Sequence, residues 1–186
     1  MASTASSHAL TLLFVSYCIL SMASLSFSCP TYACEKELNL RVYLHQVVTG
    51  QPNNNEDTMV RSPNALSFGS IAIHDWPLLD APAPNGAVIA HAKGMHAQSD
   101  IKGSAGWFTY HSIVFEDARF TGSTLLAMGM TPPNGQWGIV AGTGEFANAH
   151  GIIKHTLVNE TFNVEIYRQL DIHAFYTPET VNLSTE

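Results

Sequence analysis

The sequence is poor in charge, and basic residues are the scarcer sign. Only 12% of its 186 residues are charged, and eight Lys and Arg stand against fifteen Asp and Glu, for a formal net charge of −7. A protein that binds nucleic acid or an anionic membrane surface needs a basic patch, which this balance does not favour. The composition therefore predicts no nucleic-acid partner and favours a small-molecule or carbohydrate ligand.

Cysteine is also scarce, since the chain has three. Cys18 lies inside an N-terminal apolar segment, so only Cys29 and Cys34 remain to close a small disulfide loop in an oxidising compartment. The alternative is a pair of free thiols in a loose N-terminal tail.

No apolar run is long enough to span a bilayer. Residues 9–25 are apolar but short and rich in serine, and small residues follow them, which is typical of a secretory signal peptide. No Lys or Arg precedes this run, so the usual basic start of a signal is missing. We expect a secreted protein with its signal at residues 1–28.

The remaining chain is predicted to hold one domain. The expected organisation is an N-terminal tail at 29–37, a β-barrel domain at 38–177 and a polar C-terminal tail at 178–186. The sequons at Asn159 and Asn182 predict N-glycosylation, with the second in the polar tail.

Metal and cofactor motifs are missing as well. Nine histidines are present, but no His-x-His or His-Glu-x-x-His pair occurs, so we expect no metal site and no cofactor. Gly142-x-Gly144-x-x-Ala147 matches a dinucleotide-binding fingerprint only superficially, because Gly151 interrupts the helix that such a site needs. The better interpretation is a glycine-rich bend between two strands, where the backbone turns tightly or approaches a neighbour.

The hydrophobic pattern has a period of two. Leu38, Leu40, Val42 and Leu44 alternate with polar residues, and the same alternation recurs over residues 162–174. Further strand candidates lie at 67–74, 88–93, 108–115, 121–128, 137–140 and 151–158, with loops at 51–57 and 77–86. The pattern predicts an all-β fold, either a closed eight-stranded antiparallel, calycin-like barrel or a sandwich. Closure removes free edges, which favours the barrel.

Three polar residues fall in phase with apolar ones. Gln46, Asp75 and Arg168 are each predicted to point into the barrel, where an unpaired polar group costs about 1–3 kcal/mol. They either line a wet pocket or lie at strand ends and reach solvent.

The motifs, taken in order, resemble the plant dirigent family over residues 38–176. These motifs are Tyr43-Leu-His-Gln46, Phe68-Gly-Ser-Ile71 with Asp75, Gly122-Ser-Thr-Leu125, and Val140-Ala-Gly-Thr-Gly-Glu-Phe146 with Ala149-x-Gly151. The resemblance implies a secreted eight-stranded barrel of the cell wall or apoplast that is usually trimeric, and for this chain we expect a homotrimer or a homodimer. It also implies binding of phenoxy radicals or quinone methides that a separate oxidase, a laccase or peroxidase, makes from coniferyl-type alcohols. Such a protein directs stereoselective, lignan-type coupling without oxidising anything itself.

The resemblance also implies site residues, with departures. Gln46 stands where the family usually has Asp, Glu145 keeps a carboxylate, and His150 replaces a usual Arg. The predicted catalytic groups are Glu145, His150 and Asp75. The predicted substrate contacts are Gln46, Tyr43, Phe68, Tyr110, Phe115 and Arg168. The alternative is a defence-related module that binds a carbohydrate or phenolic without chemistry, with a cyclase as a weaker third option.

Overall fold

A computed structural model describes residues 35–102 and 106–177. Nine strands fill most of this part: β1 Lys36–Val47, β2 Glu56–Val60, β3 Ile71–Leu79, β4 Val88–Gln98, β5 Trp107–Phe115, β6 Thr124–Met130, β7 Asn134–Thr143, β8 His150–Thr161 and β9 Glu165–Tyr176. The helical content of these residues is one 3-10 turn, Gly144–Phe146. No helix among them has the length and apolarity to cross a membrane. The predicted signal peptide, Cys29, Cys34 and Asn182 lie outside the described residues, so these expectations stay predictions.

The strands form one antiparallel sheet that closes on itself. Its order is β1-β9-β8-β7-β6-β5-β4-β3-β2, and β1 also pairs with β3, where Tyr43 lies opposite Leu79 and Leu44 opposite Leu78. This pairing closes β1 and β3 to β9 into a barrel and confirms the predicted fold. The short β2 pairs with the other half of β3, with Glu56 opposite His74. The predicted loop at 51–57 is therefore too long, because its last two residues already belong to β2.

A side chain joins β1 to the start of β2. The backbone amide of Val47 donates to Asn55 Oδ1 at 2.8 Å, and Asn55 Nδ2 donates to the carbonyl of His45 at 3.0 Å. Because the backbone amide of Asn55 also donates to the carbonyl of Val47 at 3.2 Å, Asn55 joins this seam through both its side chain and its backbone. It fixes the position of the next residue, Glu56.

One end of the barrel is plugged by aromatic residues. Phe146 is fully buried, and its ring lies 4.9 Å from that of Phe115 and 5.1 Å from that of Tyr176. The 3-10 turn folds back closely, because a Cβ on Gly142 would lie 2.1 Å from the carbonyl oxygen of Phe146. This confirms the interpretation of the glycines as a tight bend, followed by a strand rather than the helix of a nucleotide site.

The rest of the interior is unusually polar. Its buried polar residues are Ser70, His74, His96, Gln98, Thr109, His111, Ser123 and His155, and Trp76 and Trp137 lie among them. Gly94 lies opposite both His74 and His111, and a Cβ there would be 2.1 Å from the carbonyl oxygen of Tyr110. The glycine therefore lets β4 approach the backbone of β5 closely.

Strand β3 presents the opposite face to the one expected. Ala72, His74, Trp76 and Leu78 are buried, whereas Ile73 is 45% exposed on the outer face. Asp75 shares that outer face, so the expectation that it points into the barrel is wrong. The isoleucines predict that their own face of β3 points inward, but in this strand the face with polar and aromatic residues lines the interior.

Candidate functional site

A cavity of about 570 Å³ opens at the end of the barrel opposite Phe146. The late part of β1 contributes Gln46, the start of β2 contributes Glu56, and β4 contributes His96 near its end. The remaining wall includes Trp76, Trp107, Thr109, Thr131 and Arg168. Strand ends that alternate in direction around the barrel thus bring acidic, basic and aromatic side chains to one mouth.

Glu56 is the buried acid of this cavity. Its side chain is 8% exposed, and Gln46 Nε2 donates to its Oε2 at 2.8 Å. Burial raises the pKa of Glu56, while the hydrogen bonds from Gln46 and from the backbone of Thr49 oppose the rise. A carboxyl with a raised pKa, held inside a cavity, is suited to donate a proton to a bound ligand.

Two buried imidazoles stand behind the acid. His96 Nε2 lies 3.8 Å from Glu56 Oε2, and His96 Nδ1 lies 3.1 Å from His74 Nδ1. Burial lowers the pKa of His96 to about 4 and, together with the neighbouring histidines, that of His74 to about 2. Both rings are therefore neutral at the pH of most biological fluids.

Aromatic rings line the cavity beside these groups. Trp76 stacks on His74 with ring centroids 3.5 Å apart and planes 5° apart. Trp107 meets the ring of His96 edge to face at 4.9 Å. Flat π surfaces next to a few polar groups are typical of a pocket for a planar aromatic ligand.

Arg168 supplies a cation to the same cavity. Its Nη1 donates to the carbonyls of Pro132 at 3.0 Å and Pro133 at 3.2 Å, which ties it to the β6–β7 turn. Burial lowers the pKa of its guanidinium. Because these carbonyls hold one nitrogen of the fork, the rest of the fork can take a ligand oxygen.

The predicted site residues divide between the two ends. Gln46 and Arg168 line the cavity, which confirms their inward orientation. Glu145 and His150 lie instead at the plugged end, where Glu145 pairs with Lys36 at 2.8 Å and His150 lies 3.8 Å from Glu35. They lie away from Gln46, because the turn that carries them connects β7 to β8 at the other end of the barrel.

Asp75 lies on the outer surface. Its Oδ1 is 2.5 Å from His91 Nδ1, and its Oδ2 is 3.5 Å from Lys93 Nζ. These neighbours on β4 account for its charge without a ligand. Catalytic roles for Asp75, Glu145 and His150 stay predictions that the geometry of the cavity does not support.

The predicted aromatic contacts are likewise away from the cavity lining. Phe115 is 1% exposed in the plug, Tyr110 is 38% exposed and Phe68 is 40% exposed. Tyr43 alternates with the buried Val42 and Leu44 and so faces outward. The aromatic walls are Trp76 and Trp107 instead.

Sequence reasoning missed Glu56 and His96. Glu56 follows the polar run 51–55, which predicts a loop, so no strand phase points to it. His96 shares its phase with Ala90 and Ala92, and this was the available signal.

The fold and cavity together define a closed antiparallel barrel with a cavity of small-ligand size at one end. The Dirigent-like protein family matches residues 37–175, and the chain belongs to this family.

Curated relatives agree. Pterocarpan synthase 1 of Glycyrrhiza echinata is 31% identical over 130 residues, covering 63% of this chain and 65% of the relative. Dirigent protein 1 of Arabidopsis thaliana is 31% identical over 126 residues, covering 64% and 69%. The match to the Glycyrrhiza echinata protein thus spans slightly less than two thirds of that relative's length. The solved structure of the pterocarpan synthase dirigent protein GePTS1 superposes with a TM-score of 0.71 at 24% identity, covering 82% of this chain and 98% of that one, which shows the fold.

Proposed function

We propose that this protein is a secreted, stereo-directing barrel of the cell wall that binds a phenoxy-radical or quinone-methide intermediate in the cavity at its open end. A separate laccase or peroxidase makes the intermediate, and the barrel directs its coupling or ring closure. The observation that carries this proposal is the buried Glu56, hydrogen-bonded to Gln46 inside an aromatic-walled cavity.

The position of Glu56 addresses the missing family acid. Gln46 stands where the resemblance leads us to expect Asp, and an amide cannot transfer a proton as a carboxylic acid can. The structure places a carboxyl 2.8 Å from that amide, on the neighbouring strand. The acid function is therefore supplied from β2, with Gln46 orienting it.

The cavity suits a flat phenolic intermediate. A volume near 570 Å³ lies within the range of about 300–1,000 Å³ that small-molecule sites occupy. Trp76 and Trp107 offer π faces, and Glu56 and Arg168 can each bind an oxygen. Holding one face of a reactive intermediate in this way is enough to select one stereochemical outcome.

A coupling assay tests the proposal. Coniferyl alcohol is oxidised by a laccase with and without the protein, and the enantiomers of the products are separated by chiral chromatography. We expect an enantiomeric excess when the protein is present and an unchanged rate of alcohol consumption. Because relatives are named pterocarpan synthases, a ring-closing substrate is the second one to test. Tight binding of a phenolic or a sugar without any bias in either reaction would favour the non-catalytic binding module.

We also propose that the barrel assembles through an apolar stripe on its outer face. Two rows cross β3 to β6 in register: Ile73, Met95, Tyr110 and Met128 form one, and Ile71, Ala97, Phe108 and Met130 form the other. None of these side chains carries a charge, and Met95 is 49% exposed. An exposed apolar patch of this kind is typical of an interface, and a second copy of the chain is its proposed occupant.

Light scattering after size exclusion measures this assembly. Met95→Glu places a charge in the stripe and should shift the protein to monomer. Val140→Glu changes an outward residue of β7 that is 51% exposed and lies outside the stripe, so it should leave the mass unchanged. A monomeric wild type would refute the interface.

A further inference from the structure

The hydrogen bonding of Glu56 determines what its oxygen presents to His96. Gln46 Nε2 donates to Glu56 Oε2 at 2.8 Å, so this oxygen is an acceptor, and in the acid form of Glu56 the proton belongs on the other oxygen. His96 Nε2 faces the same Oε2 at 3.8 Å. A nitrogen lone pair facing an acceptor oxygen is repelled, whereas an N–H is attracted. This contact favours a proton on Nε2 of His96.

The second nitrogen of His96 is set by His74. The two Nδ1 atoms lie 3.1 Å apart, and one proton occupies the space between them. Since His96 is neutral and protonated on Nε2, its Nδ1 accepts and His74 Nδ1 donates. His74 Nε2 is then a lone pair, which agrees with its having no hydrogen-bond partner among the described residues.

The separation of 3.8 Å between His96 Nε2 and Glu56 Oε2 is too long for a direct hydrogen bond. The N–H of His96 is thus free to donate to a ligand oxygen that enters beside Glu56. When Glu56 is protonated, the form that burial favours, its proton is the second donor at that place. An oxygen that can only accept satisfies both donors, whereas a phenol hydroxyl must also place its own proton.

We propose that His74 is a positioning residue that holds His96 in the Nε2–H tautomer, so that His96 and Glu56 form a pair of donors selecting an acceptor-only oxygen over a phenol hydroxyl. The oxygen of a phenoxy radical and the carbonyl of a quinone methide are of this kind. The choice of substrate class rests on the proposed function, whereas the tautomer of His96 is independent of it.

Nitrogen-15 NMR of the full chain with labelled histidine tests the tautomer directly, because two-bond couplings to the ring protons distinguish a protonated nitrogen from a lone pair. We expect His96 protonated on Nε2 and His74 on Nδ1. A wild-type His96 protonated on Nδ1 overturns the proposal without any variant being needed.

A matched pair of variants tests the role of His74. His74→Asn retains an N–H that can donate to His96 Nδ1, and His74→Leu has the same number of side-chain heavy atoms, branched at the same carbon, but no donor. We expect the Asn variant to keep the Nε2–H form and the Leu variant to show a measurable Nδ1–H population. An unchanged tautomer in the Leu variant refutes the positioning role.

Two stable ligands test the selection. N-methyl-4-pyridone has the flat ring and carbonyl of a quinone methide, and 4-methylphenol has the same shape with a hydroxyl. Titration calorimetry should show the pyridone binding about two- to tenfold more tightly, the range that one hydrogen bond supplies. The preference should persist in His74→Asn and shrink in His74→Leu. Equal or reversed affinities in the wild type overturn the selection, while a failed coupling assay with the expected tautomer overturns only the proposed function.

Discussion

Replacing Glu56 with Gln removes the acid group from the cavity and leaves the shape of the side chain almost unchanged. The amide has the shape of the acid and can keep a hydrogen bond with Gln46, so the cavity should keep its volume and its lining. If Glu56 is the proton donor, the variant should lose about 10²- to 10⁴-fold in the rate of an acid-assisted ring closure, which is the usual contribution of a positioned general acid. The structure favours the upper part of this range, because a side chain that is 8% exposed leaves little room for water to take its place.

The stability of the same variant has a defined sign. Burial raises the pKa of Glu56 above its unfolded value, so its contribution to stability is fully present below about pH 4.5 and is lost as the pH rises through the folded pKa. Glu56→Gln should therefore be at least as stable as wild type at pH 7. Thermal unfolding by circular dichroism measures this, and it separates lost chemistry from lost folding.

Glu145→Gln is the matched control, since it makes the same chemical change at the plugged end. Stereochemical bias and closure rate should stay at the wild-type level in Glu145→Gln and fall in Glu56→Gln. The reverse result would refute the assignment of the acid to β2 and restore the sequence-based expectation for Glu145.

Three further outcomes follow from the interior. Burial lowers the folded-state pKa of His96 and His155 to about 4 and that of His111 to about 3. The stability that these neutral rings contribute is therefore fully present above the unfolded pKa of 6.5 and is lost as the pH falls towards 4. The loss should be about 1.4 kcal/mol per pH unit for each histidine. The free energy of unfolding, measured with urea at several pH values, should therefore depend less steeply on pH in His111→Phe than in the wild type. Gly94→Ala should lower the melting temperature strongly, because its Cβ would meet a backbone oxygen at 2.1 Å, and an unchanged melting temperature would contradict the close approach of β4 and β5. Gln46→Asp should put two carboxyls in contact and raise one pKa further, which a shift of the pH profile of ring closure to higher pH would detect.

The sequence was sufficient to predict the barrel because its first and last strands, β1 and β9, alternate regularly between apolar and polar residues. In β1, Leu38, Val42 and Leu44 are buried as expected, and closure by pairing with β3 follows from the need to cover edges. The alternation fails in β3, where Ile73 faces outward and His74 inward. A cavity needs polar residues on the inner face, so a rule that places apolar residues inside reverses the phase at the site itself.

The acid was missed for a related reason. Glu56 begins a strand of five residues after a run of Asn and Pro, and its burial depends on a seam that Asn55 closes with side-chain hydrogen bonds rather than on hydrophobic periodicity. Spacing within one strand cannot report such a position, because the partner Gln46 lies on a different strand.

The relation between Gln46 and Glu56 explains how the cavity can keep an acid without one at position 46. Two carboxyls in contact would repel each other when ionised, and one of them would have to stay protonated. An amide beside a single carboxyl avoids this conflict: Gln46 donates to Glu56 Oε2, so the proton of the acid form belongs on the other oxygen. The hydrogen-bonded pair of His96 and His74 lies behind this carboxyl. An amide at position 46 is therefore compatible with proton transfer, provided that β2 brings a carboxyl to the same place.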